Sequence, residues 1–471
     1  MRKRRYLMKI RYLDPVERLN FELRQRREEG LDISDELVIF DKILSYTADE
    51  YQDKAQPEAM QLLQKLYTAS SQAEKNHAEP DELDEIIKMR PDTGQDINLK
   101  NDLSDETIYD RIQGGWFGRA AGCLLGKPVE KYERSVIRKI LESNNSWPLD
   151  NYFTAKNIPD EILQKYPWKR RGGNESLREN IVCMPEDDDL NYTMLNLHIL
   201  ELNGSDFTTE DVGEAWLKML PVYETFTAER MAYFNLLHGI SPPESGYYLN
   251  PYREWIGAQI RADLWGYVCP GKPEKAAELA WRDARLSHVR NGIYGEMFFA
   301  AIIAAAFVEK SLFALIDIGL GVIPENSRFA QAIHYVIKRV KSNHIWEKFV
   351  DELYNKFGHY HWVHTINNAA LTVAALLFSQ GDYEKTICNA VMGGWDTDCN
   401  GATAGSIIGV IQGENNLPEK WIKPLNNCIR SSVKGFDNVK FTDLARRTVN
   451  AAKMLTGTDD KKDTLNNNDD Y

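Results

Sequence analysis

Carboxylate side chains stand at three places where an apolar or small-residue stretch begins or ends. Glu130 follows one such stretch, and Asp396 and Asp398, two residues apart, precede another. A run of three aspartates, residues 187 to 189, precedes a third. Oxygen ligands select hard cations such as Mg²⁺, Mn²⁺ or Ca²⁺ over Zn²⁺. The six carboxylates exceed what one ion needs and predict a two-metal site, with ions about 3.5–4 Å apart.

Each of these acids also has a purely structural interpretation. Asp396 or Asp398 would cap the helix that follows, a use worth about 1 kcal/mol. The run from 187 to 189 would form an acidic first turn, which the helix dipole favours. Taken one at a time, the acids fit this interpretation better than a metal site. Three adjacent aspartates, however, are more than one cap needs, and they repel one another unless a cation binds them.

Histidines and known short motifs give weaker evidence of a functional site than the carboxylates do. His359, His361 and His364 in GHYHWVHT have spacings that suit a soft-metal site, but ordinary hydrogen-bonded packing is the favoured interpretation because neither cysteine nor carboxylate adjoins them. His288 is predicted to be structural or to face a substrate. Neither a GxSxG nor a Walker motif nor a paired GxGxxG motif occurs, so nucleophilic serine chemistry and nucleotide hydrolysis have no support.

Two glycine-rich helical stretches are predicted to position the acids. Glycines recur every fourth residue in each, at 401, 405, 409 and 413 and at 114, 118, 122 and 126. A glycine inside a helix costs roughly 1 kcal/mol relative to alanine, so these rows indicate close approach of another backbone. Rows at this spacing form the ridges of the commonest helix crossing. An antiparallel crossing of the two helices brings Glu130 to Asp396 and Asp398.

The remaining sequence predicts helices throughout, without convincing strand alternation. Residues 1–103 are predicted to form a helical N-terminal extension, whose last part, 75–103, is a polar linker. Helix starts are predicted at Asp14-Pro15, Ser34 and Pro57. Residues 104–456 form the predicted catalytic domain, and the polar tail 457–471 is predicted to be disordered. The long segment 144–183 has little periodicity and is either functional or disordered.

Net charge, cysteine content and the length of apolar runs limit the predicted partners and location of the protein. The net charge of −13 argues against general binding of nucleic acids or acidic membranes, since phosphate backbones need clustered Lys and Arg. Six cysteines without a CxxC pair indicate free thiols in a reducing compartment. No apolar region follows the basic N-terminus, and the longest apolar run, residues 297–308, is too short to span a bilayer. A cytoplasmic protein is therefore predicted.

Five blocks of the sequence, in chain order, resemble the ADP-ribosylglycohydrolase family, which includes ADP-ribosylarginine hydrolases and dinitrogenase reductase-activating glycohydrolases. They are GGWFGRAAGCLLGKPVE, EDDDLNYTMLNLHILE, IGAQIRADLWGY, LSHVRNGIYGEMFFAA and GGWDTDCNGATAGSIIG. The resemblance covers about residues 108–455, and the last block is the most specific. It implies an all-α orthogonal helical bundle with a dinuclear Mg²⁺ or Mn²⁺ centre at one end. The implied reaction is hydrolysis of a bond at the anomeric carbon of a ribose.

The resemblance also implies a set of site residues. The metal ligands that it implies are Glu130, Asp187, Asp188, Asp189, Asp396, Asp398 and Cys399. Aspartate at 187 and cysteine at 399 replace threonines of the family pattern, and a thiol is a poor ligand for a hard cation. Cys123 stands where the family usually has an aspartate. Glu130 and Asp187 are the candidates for the general acid or base, because each could be displaced from a metal.

Substrate binding is predicted for residues of the same blocks and for one loop. The residues from the blocks are Gly126, His288, Asn291, Gly292 and Trp395. Arg170 and Arg171, beside Tyr166 and Trp168 in YPWKRRGG, offer positive charge and a stacking surface for a pyrophosphate and an adenine. A solvated surface loop is the alternative for this patch and is slightly favoured over the binding interpretation.

The resemblance, together with the clustered acids, implies a metal-dependent glycohydrolase that acts on a small ribosyl or ADP-ribosyl compound, free or attached to a protein. A nucleic-acid or membrane partner is not expected. Two alternatives remain open. One is a non-catalytic member of the family, as some eye-lens crystallins are, and the retained acids disfavour it. The other is a two-metal phosphoesterase, which the shortage of histidine ligands disfavours.

Overall fold

The computed structural model describes residues 10–72, 79–92, 97–168, 172–342 and 345–456. In these residues the secondary structure consists of α-helices with short 3₁₀ turns and one π-helical turn, Tyr51–Ala55, and no β-strand. The chain forms an all-α orthogonal bundle of the predicted type with a helical N-terminal extension. None of the described helices combines the length and the apolar character that crossing a membrane requires.

The helices are numbered in chain order. The extension contains α1 (Pro15–Glu28), α2 (Ser34–Leu44), α3 (Gln56–Gln72) and α4 (Leu83–Lys88). The first half of the bundle contains α5 (Asp105–Gly126), α6 (Arg134–Ser143), α7 (Asp160–Lys165), α8 (Asp188–Asn203), α9 (Thr209–Met219), α10 (Thr227–Leu237), α11 (Glu244–Tyr247), α12 (Ala262–Tyr267) and α13 (Pro273–Ala284). The second half contains α14 (Asn291–Ala306), α15 (Leu312–Leu320), α16 (Arg328–Val340), α17 (Trp346–Phe357), α18 (Thr365–Ser379), α19 (Tyr383–Met392), α20 (Thr397–Gln412), α21 (Glu419–Ile422) and α22 (Phe441–Thr456).

The extension has a small apolar core of its own. Helices α1, α2 and α3 begin where local sequence predicts: Asp14 caps α1 with Pro15 in the first turn, and α2 starts at Ser34. Their inner faces form a cluster that includes Leu19, Ile43 and Leu63. The short segment predicted as a linker packs against the bundle in its described part. Pro80, for example, accepts a hydrogen bond from the Tyr294 hydroxyl through its carbonyl oxygen.

The large apolar core surrounds α14, in which every residue is buried. Helices α12, α13 and α15 pack around α14, and α18 and α20 contact it from another side. A helix that is apolar on all sides is stable only inside a bundle. The position of α14 therefore fixes where α18 and α20 lie.

Helices α5 and α20 form the closest helix pair of the bundle and cross in antiparallel directions. A Cβ atom built on Gly122 would lie 1.9 Å from the Gly401 carbonyl oxygen, and one built on Gly118 would lie 2.3 Å from the Gly405 carbonyl oxygen. The Gly114 position faces Gly409 in the same way. The two backbones touch with no room for side chains, which confirms the predicted glycine contact.

Candidate metal centre and adjoining cleft

The crossing of α5 and α20 places the end of α5 beside the start of α20. Gly126, the last residue of α5, packs against Thr397, whose hydroxyl donates a 2.8 Å hydrogen bond to the Gly126 carbonyl oxygen. Glu130 follows α5 after one 3₁₀ turn, and Asp396 and Asp398 stand at the first turn of α20. The predicted meeting of these three acids therefore follows from the glycine contact.

Five buried carboxylates form one continuous cluster, which we call the acid group: Glu130, Asp187, Asp189, Asp396 and Asp398. In each of three sets of residues, one potential ligand atom per residue lies within 4.8 Å of those of the other two. The sets are Glu130–Asp396–Asp398, Asp189–Asp398–Cys399 and Cys123–Asp187–Asp189. Asp398 and Asp189 each belong to two sets and so join the three. Asp188 is half-buried and belongs to none of them.

The interpretation of these acids as helix caps can be checked at the starts of α8 and α20, where Asp187 and Asp396 stand. The Oδ1 atom of Asp187 accepts a 3.0 Å hydrogen bond from the Asp189 backbone N–H and caps α8. Asp396 occupies the corresponding position of α20, but its side chain makes no capping hydrogen bond. Capping therefore accounts for Asp187 and not for Asp396.

Two basic residues of α5 and its end contact the acid group, and sequence reasoning missed both. Arg119 is fully buried and donates to Asp189 Oδ1 at 3.0 Å and to Asp263 Oδ2 at 2.7 Å. The Lys127 ammonium pairs with Asp187 and also donates to the Glu186 carbonyl oxygen at 2.8 Å. A charged residue within a stretch of otherwise small and apolar residues is the signal that could have found them, because buried charges are paired.

Burial raises the pKa of one carboxyl of the acid group and of two thiols beside it. It raises the pKa of Asp189 well above the usual value; the neighbouring Asp187 and Asp398 carboxylates act in the same direction, and Arg119 opposes them. Burial also raises the pKa of the Cys123 and Cys399 thiols well above their usual value, and nearby carboxylates add to both shifts. Both thiols are therefore protonated at neutral pH, and a protonated thiol is a poor metal ligand.

The residues present fit a hard divalent cation. The donors are buried carboxylate oxygens on three separate elements, and Arg119 and Lys127 offset only part of the negative charge that the described acids carry. Carboxylate oxygens suit Mg²⁺ and Mn²⁺. The residues that would hold such ions are those of the acid group.

A polar residue of α18 holds the loop that carries Asp396. The Asn368 Oδ1 atom accepts hydrogen bonds from the Asp396 backbone N–H at 3.1 Å and from Asn400 Nδ2 at 2.8 Å. Its Nδ2 group donates to the carbonyl oxygens of Trp362 and His364. Asn368 therefore fixes the Asp396 loop relative to the segment before α18. Sequence reasoning missed this residue because nothing local marks it.

A cavity of about 930 Å³, which we call the cleft, lies beside the segments that carry Glu130 and Asp396, although none of the five carboxylates of the acid group lines it. Lys131 and Trp395, which directly follow Glu130 and directly precede Asp396, both line it. Both have positive φ, 73° and 55°, a conformation that is uncommon for residues with side chains and often found at functional sites. The other aromatic and basic lining residues are Arg24, Tyr132, Arg134, Arg138, Tyr354, Tyr360 and Trp362.

The aromatic wall of the cleft is well ordered by packing. Trp395 stacks on Tyr354 with ring centroids 4.4 Å apart, and the Tyr354 hydroxyl donates a 3.0 Å hydrogen bond to the Gly393 carbonyl oxygen. A Cβ atom on Gly394, which has φ of 82°, would lie 2.5 Å from that hydroxyl. Glycine is therefore required there, and the GGWD sequence turns sharply enough to present Trp395 to the cleft and Asp396 to the acid group.

The predicted substrate-binding residues fall in several places. Trp395 lines the cleft, whereas Gly126 lies in the helix crossing. Asn291 donates to Glu254 and accepts from the Phe329 backbone N–H, and Gly292 packs against the Arg253 carbonyl oxygen. His288 is buried beside Ser287, and burial, helped by Arg261, lowers its pKa well below the usual value. These last three residues are absent from the described lining of the cleft.

The loop predicted to bind pyrophosphate is only partly described. Arg170 and Arg171 lie outside the described residues. At its described ends, Tyr166 packs edge-on against Tyr132, Trp168 packs near Phe153, and Gly172 lies against the Lys127 side chain. The described ends of the loop thus lie close to Tyr132 of the cleft and to Lys127, which pairs with Asp187.

The histidines of GHYHWVHT take part in packing. His361 stacks on Trp255 with ring centroids 4.1 Å apart, and burial lowers its pKa to about 3. His364 lies 3.6 Å from a Glu254 oxygen. Among the described residues, none of the three histidines belongs to a potential metal-binding set, which agrees with the packing interpretation.

The fold and the acid group together define a helical bundle with a candidate hard-cation centre beside a cleft. The sequence profile described as ADP-ribosylglycohydrolase matches residues 104–456. The chain belongs to the ADP-ribosylglycohydrolase family. A solved structure titled "ADP-ribosylglycohydrolase-related protein complex" is 20% identical, covers 74% of this chain and 99% of its own, and has a TM-score of 0.49. A search of curated proteins found no match.

Proposed function

We propose that this chain is a metal-dependent glycohydrolase that hydrolyses a bond at the anomeric carbon of a ribosyl or ADP-ribosyl substrate. Membership of the family supports a glycohydrolase. The observation that carries the proposal for this chain is the acid group of five buried carboxylates, whose chain neighbours Lys131 and Trp395 line a cleft of about 930 Å³. A cavity of this size accommodates a nucleotide-sized ligand.

The acid group would hold Mg²⁺ or Mn²⁺, as two ions. A cation bound there would supply Lewis-acid activation of a water molecule at neutral pH. The chain's own residues then orient the substrate. Trp395 and Tyr354 form a rigid aromatic wall, and the turn at Gly394 keeps this wall next to Asp396. Orientation of this kind contributes to the rate by holding the reacting atoms together.

Glu130 is the better placed of the two candidates for the general base. Both oxygens of Asp187 are engaged, one by the Asp189 backbone N–H and the other by Lys127. Glu130 directly precedes Lys131, which lines the cleft. In the proposed reaction Glu130 takes a proton from water as the water oxygen bonds to the anomeric carbon and the bond to the leaving group breaks. The transition state has oxocarbenium character.

A product screen tests this function. The purified chain is incubated with Mg²⁺ or Mn²⁺ and with ADP-ribosyl-arginine, ADP-ribosyl-serine, O-acetyl-ADP-ribose and plain nucleosides, and each reaction is repeated with EDTA. We expect release of a free ribose or ADP-ribose product from at least one substrate, and its loss with EDTA. Release of inorganic phosphate instead would indicate a phosphoesterase. No product, together with no thermal-shift response to Mg²⁺, Mn²⁺ or Ca²⁺, would indicate a non-catalytic protein.

A further inference from the structure

The N-terminal extension reaches the cleft. Residues 10–72 precede the region 104–456 that matches the family. Arg24 of α1 nevertheless lines the cleft together with Lys131 and Trp395. A side chain from outside the matched region therefore faces the same space as the neighbours of Glu130 and Asp396.

Arg24 is half-buried and fixed by two hydrogen bonds. Its Nε donates to Glu28 Oε1 at 2.8 Å and its Nη2 donates to the His359 carbonyl oxygen at 3.2 Å, while 40% of the side chain stays exposed. Within the described part of the chain, its Nη1 group has neither a hydrogen bond nor an ion pair. The guanidinium is thus oriented by two contacts and keeps donors for a third.

Helix α1 also holds in place two further aromatic residues that line the cleft, Tyr360 and Trp362. Glu28 accepts a 2.8 Å hydrogen bond from the His361 backbone N–H, and Arg24 binds the His359 carbonyl oxygen. Tyr360 lies between these two histidines in the chain and Trp362 directly follows them, and both line the cleft. Helix α1 therefore holds the segment that presents two of the aromatic rings.

Buried ion pairs fix α1 itself on the bundle. Arg253 pairs with Glu22 at 2.6 Å and with Glu29 at 2.8 Å, and Glu29 also pairs with Arg290 at 2.5 Å. Both glutamates and Arg253 have side chains that are less than a tenth exposed. A helix held in this way presents Arg24 in a set position, which reduces the entropy lost on binding a ligand.

The four basic residues that line the cleft differ in the ion pairs and hydrogen bonds that their side chains already make. Arg134 pairs with Asp351 and donates to the Glu347 carbonyl oxygen. Arg138 pairs with Glu142 at 2.7 Å, and its guanidinium lies over the Trp147 ring. Lys131 lies 5.8 Å from the centre of the Trp362 ring and has no ion pair with a described residue. Lys131, Arg24 and the Nη groups of Arg138 therefore keep donors for an anion, and among these three residues only Arg24 comes from outside the region that matches the family.

We propose that Arg24 is a specificity-determining contact, supplied by the extension, for the phosphate groups of an ADP-ribosyl substrate, with Lys131 as a second contact. Guanidinium groups bind phosphate oxygens with paired donors, and an ammonium adds a point charge. The inference rests on the proposed function, because it names the substrate class of the same site. It assigns the extension a part in substrate selection.

Binding and kinetics of matched variants test this inference. Arg24→Ala is compared with Arg27→Ala, an exposed arginine one turn later on α1 that is absent from the described lining of the cleft, and with Arg24→Lys, which keeps the charge. Calorimetry with Mg²⁺ measures the Kd of ADP-ribose and of adenosine. Hydrolysis of ADP-ribosyl-arginine and of a plain nucleoside is assayed separately. Thermal melting checks that each variant is folded.

We expect Arg24→Ala to weaken ADP-ribose binding about ten-fold relative to its effect on adenosine, as loss of one charged hydrogen bond does. The corresponding kinetic change is in KM for the phosphate-bearing substrate, with partial recovery in Arg24→Lys and none of the loss in Arg27→Ala. Equal effects on both ligands, or no effect, would overturn the inference. Arg24-dependent ADP-ribose binding without any hydrolysis would support the inference and overturn the proposed function.

Discussion

Arg119 and Lys127 divide the acid group into two kinds of carboxylate. Asp189 is paired with Arg119, and Asp187 with Lys127. Glu130, Asp396 and Asp398 form the set that adjoins the cleft through Lys131 and Trp395. An ion bound at Asp187 or Asp189 must compete with a buried cation for the carboxylate oxygens. We expect Asp396 and Asp398 to dominate metal affinity, and Glu130 to be the ligand that can be displaced to act as the proposed general base.

Replacement of an acid in this set provides a direct test. We expect Asp396→Ala and Asp398→Ala each to abolish activity and tight Mn²⁺ binding, measured by calorimetry, while the circular dichroism of the fold persists. Stability without metal is expected to stay equal or to rise, because one of several like charges is removed. Glu210→Ala, on the exposed surface of α9, is the control. Full Mn²⁺ affinity in both aspartate variants would refute the site assignment.

A substitution at Cys399 provides a second test of the candidate metal centre. Its thiol lies within 4.8 Å of ligand atoms of Asp189 and Asp398 and is protonated at neutral pH, because burial raises its pKa. A hydroxyl oxygen is a harder donor than sulfur. We expect Cys399→Thr to lower the Kd for Mg²⁺ several-fold in a thermal-shift or calorimetric titration. An unchanged Kd would mean that residue 399 does not contribute a ligand.

Among the elements, the pair α5 and α20 decides the geometry of the site. The two helices touch along three glycine pairs, and their crossing brings the acids at the end of one helix to the acids at the start of the other. The contact is backbone to backbone, so neither helix can shift aside to accept a side chain. The stability of the bundle and the geometry of the acid group therefore depend on the same glycines.

A single added methyl group tests this contact. We expect Gly122→Ala to lower the free energy of unfolding by about 3 kcal/mol, since its Cβ would lie 1.9 Å from the Gly401 carbonyl oxygen. Gly213→Ala in α9 is the matched control, because that Cβ would meet only leucine side-chain ends at 3.3 Å. The control should change stability by at most about 1 kcal/mol in either direction, because the gain in helix propensity opposes the small shift required of the leucine side chains. Urea unfolding measures both, and equal stabilities would show that the ridges do not touch.

At the scale of the whole molecule, buried charges join the extension to the bundle. Burial by itself would raise the pKa of Glu29, but the Arg253 and Arg290 guanidinium groups lower it to about 2. A folded-state pKa below the unfolded value of 4.5 means that ionised Glu29 stabilises the protein above about pH 4.5. This contribution is lost as the pH falls from 4.5 towards 2.

Glu29→Gln should therefore destabilise the protein in a pH-dependent way. We expect the free energy of unfolding to fall by about 3 kcal/mol at pH 7, since the buried Arg253 and the partly exposed Arg290 lose an ion-pair partner. The difference from the parent should shrink as the pH falls below 4.5, because the parent's Glu29 then becomes protonated during unfolding. Urea unfolding at pH 7, 5 and 3.5 measures this, with the exposed Asp41→Asn as control. A difference independent of pH would show that Glu29 contributes through packing alone.

Local sequence determined the helices, the glycine contact and the family. The start of α1 at Asp14-Pro15 depends on hydrogen bonds that span three residues, and the glycine rows repeat every four residues. Such signals can be read without knowing what lies across the fold. The all-α bundle was confirmed for this reason, and so was the meeting of Glu130 with Asp396 and Asp398.

Tertiary structure alone decided which charges meet. Arg119 reaches Asp263 across 144 positions, and Arg24 reaches the His359 carbonyl across 335. No local pattern encodes such pairs, because they depend on how whole helices pack around α14. For the same reason the fold placed Asn291 beside Glu254, away from the described lining of the cleft, and brought Arg24 into that lining. Sequence thus determined the carboxylates and the helices that carry them, and packing determined their counter-charges and the aromatic wall that lines the cleft.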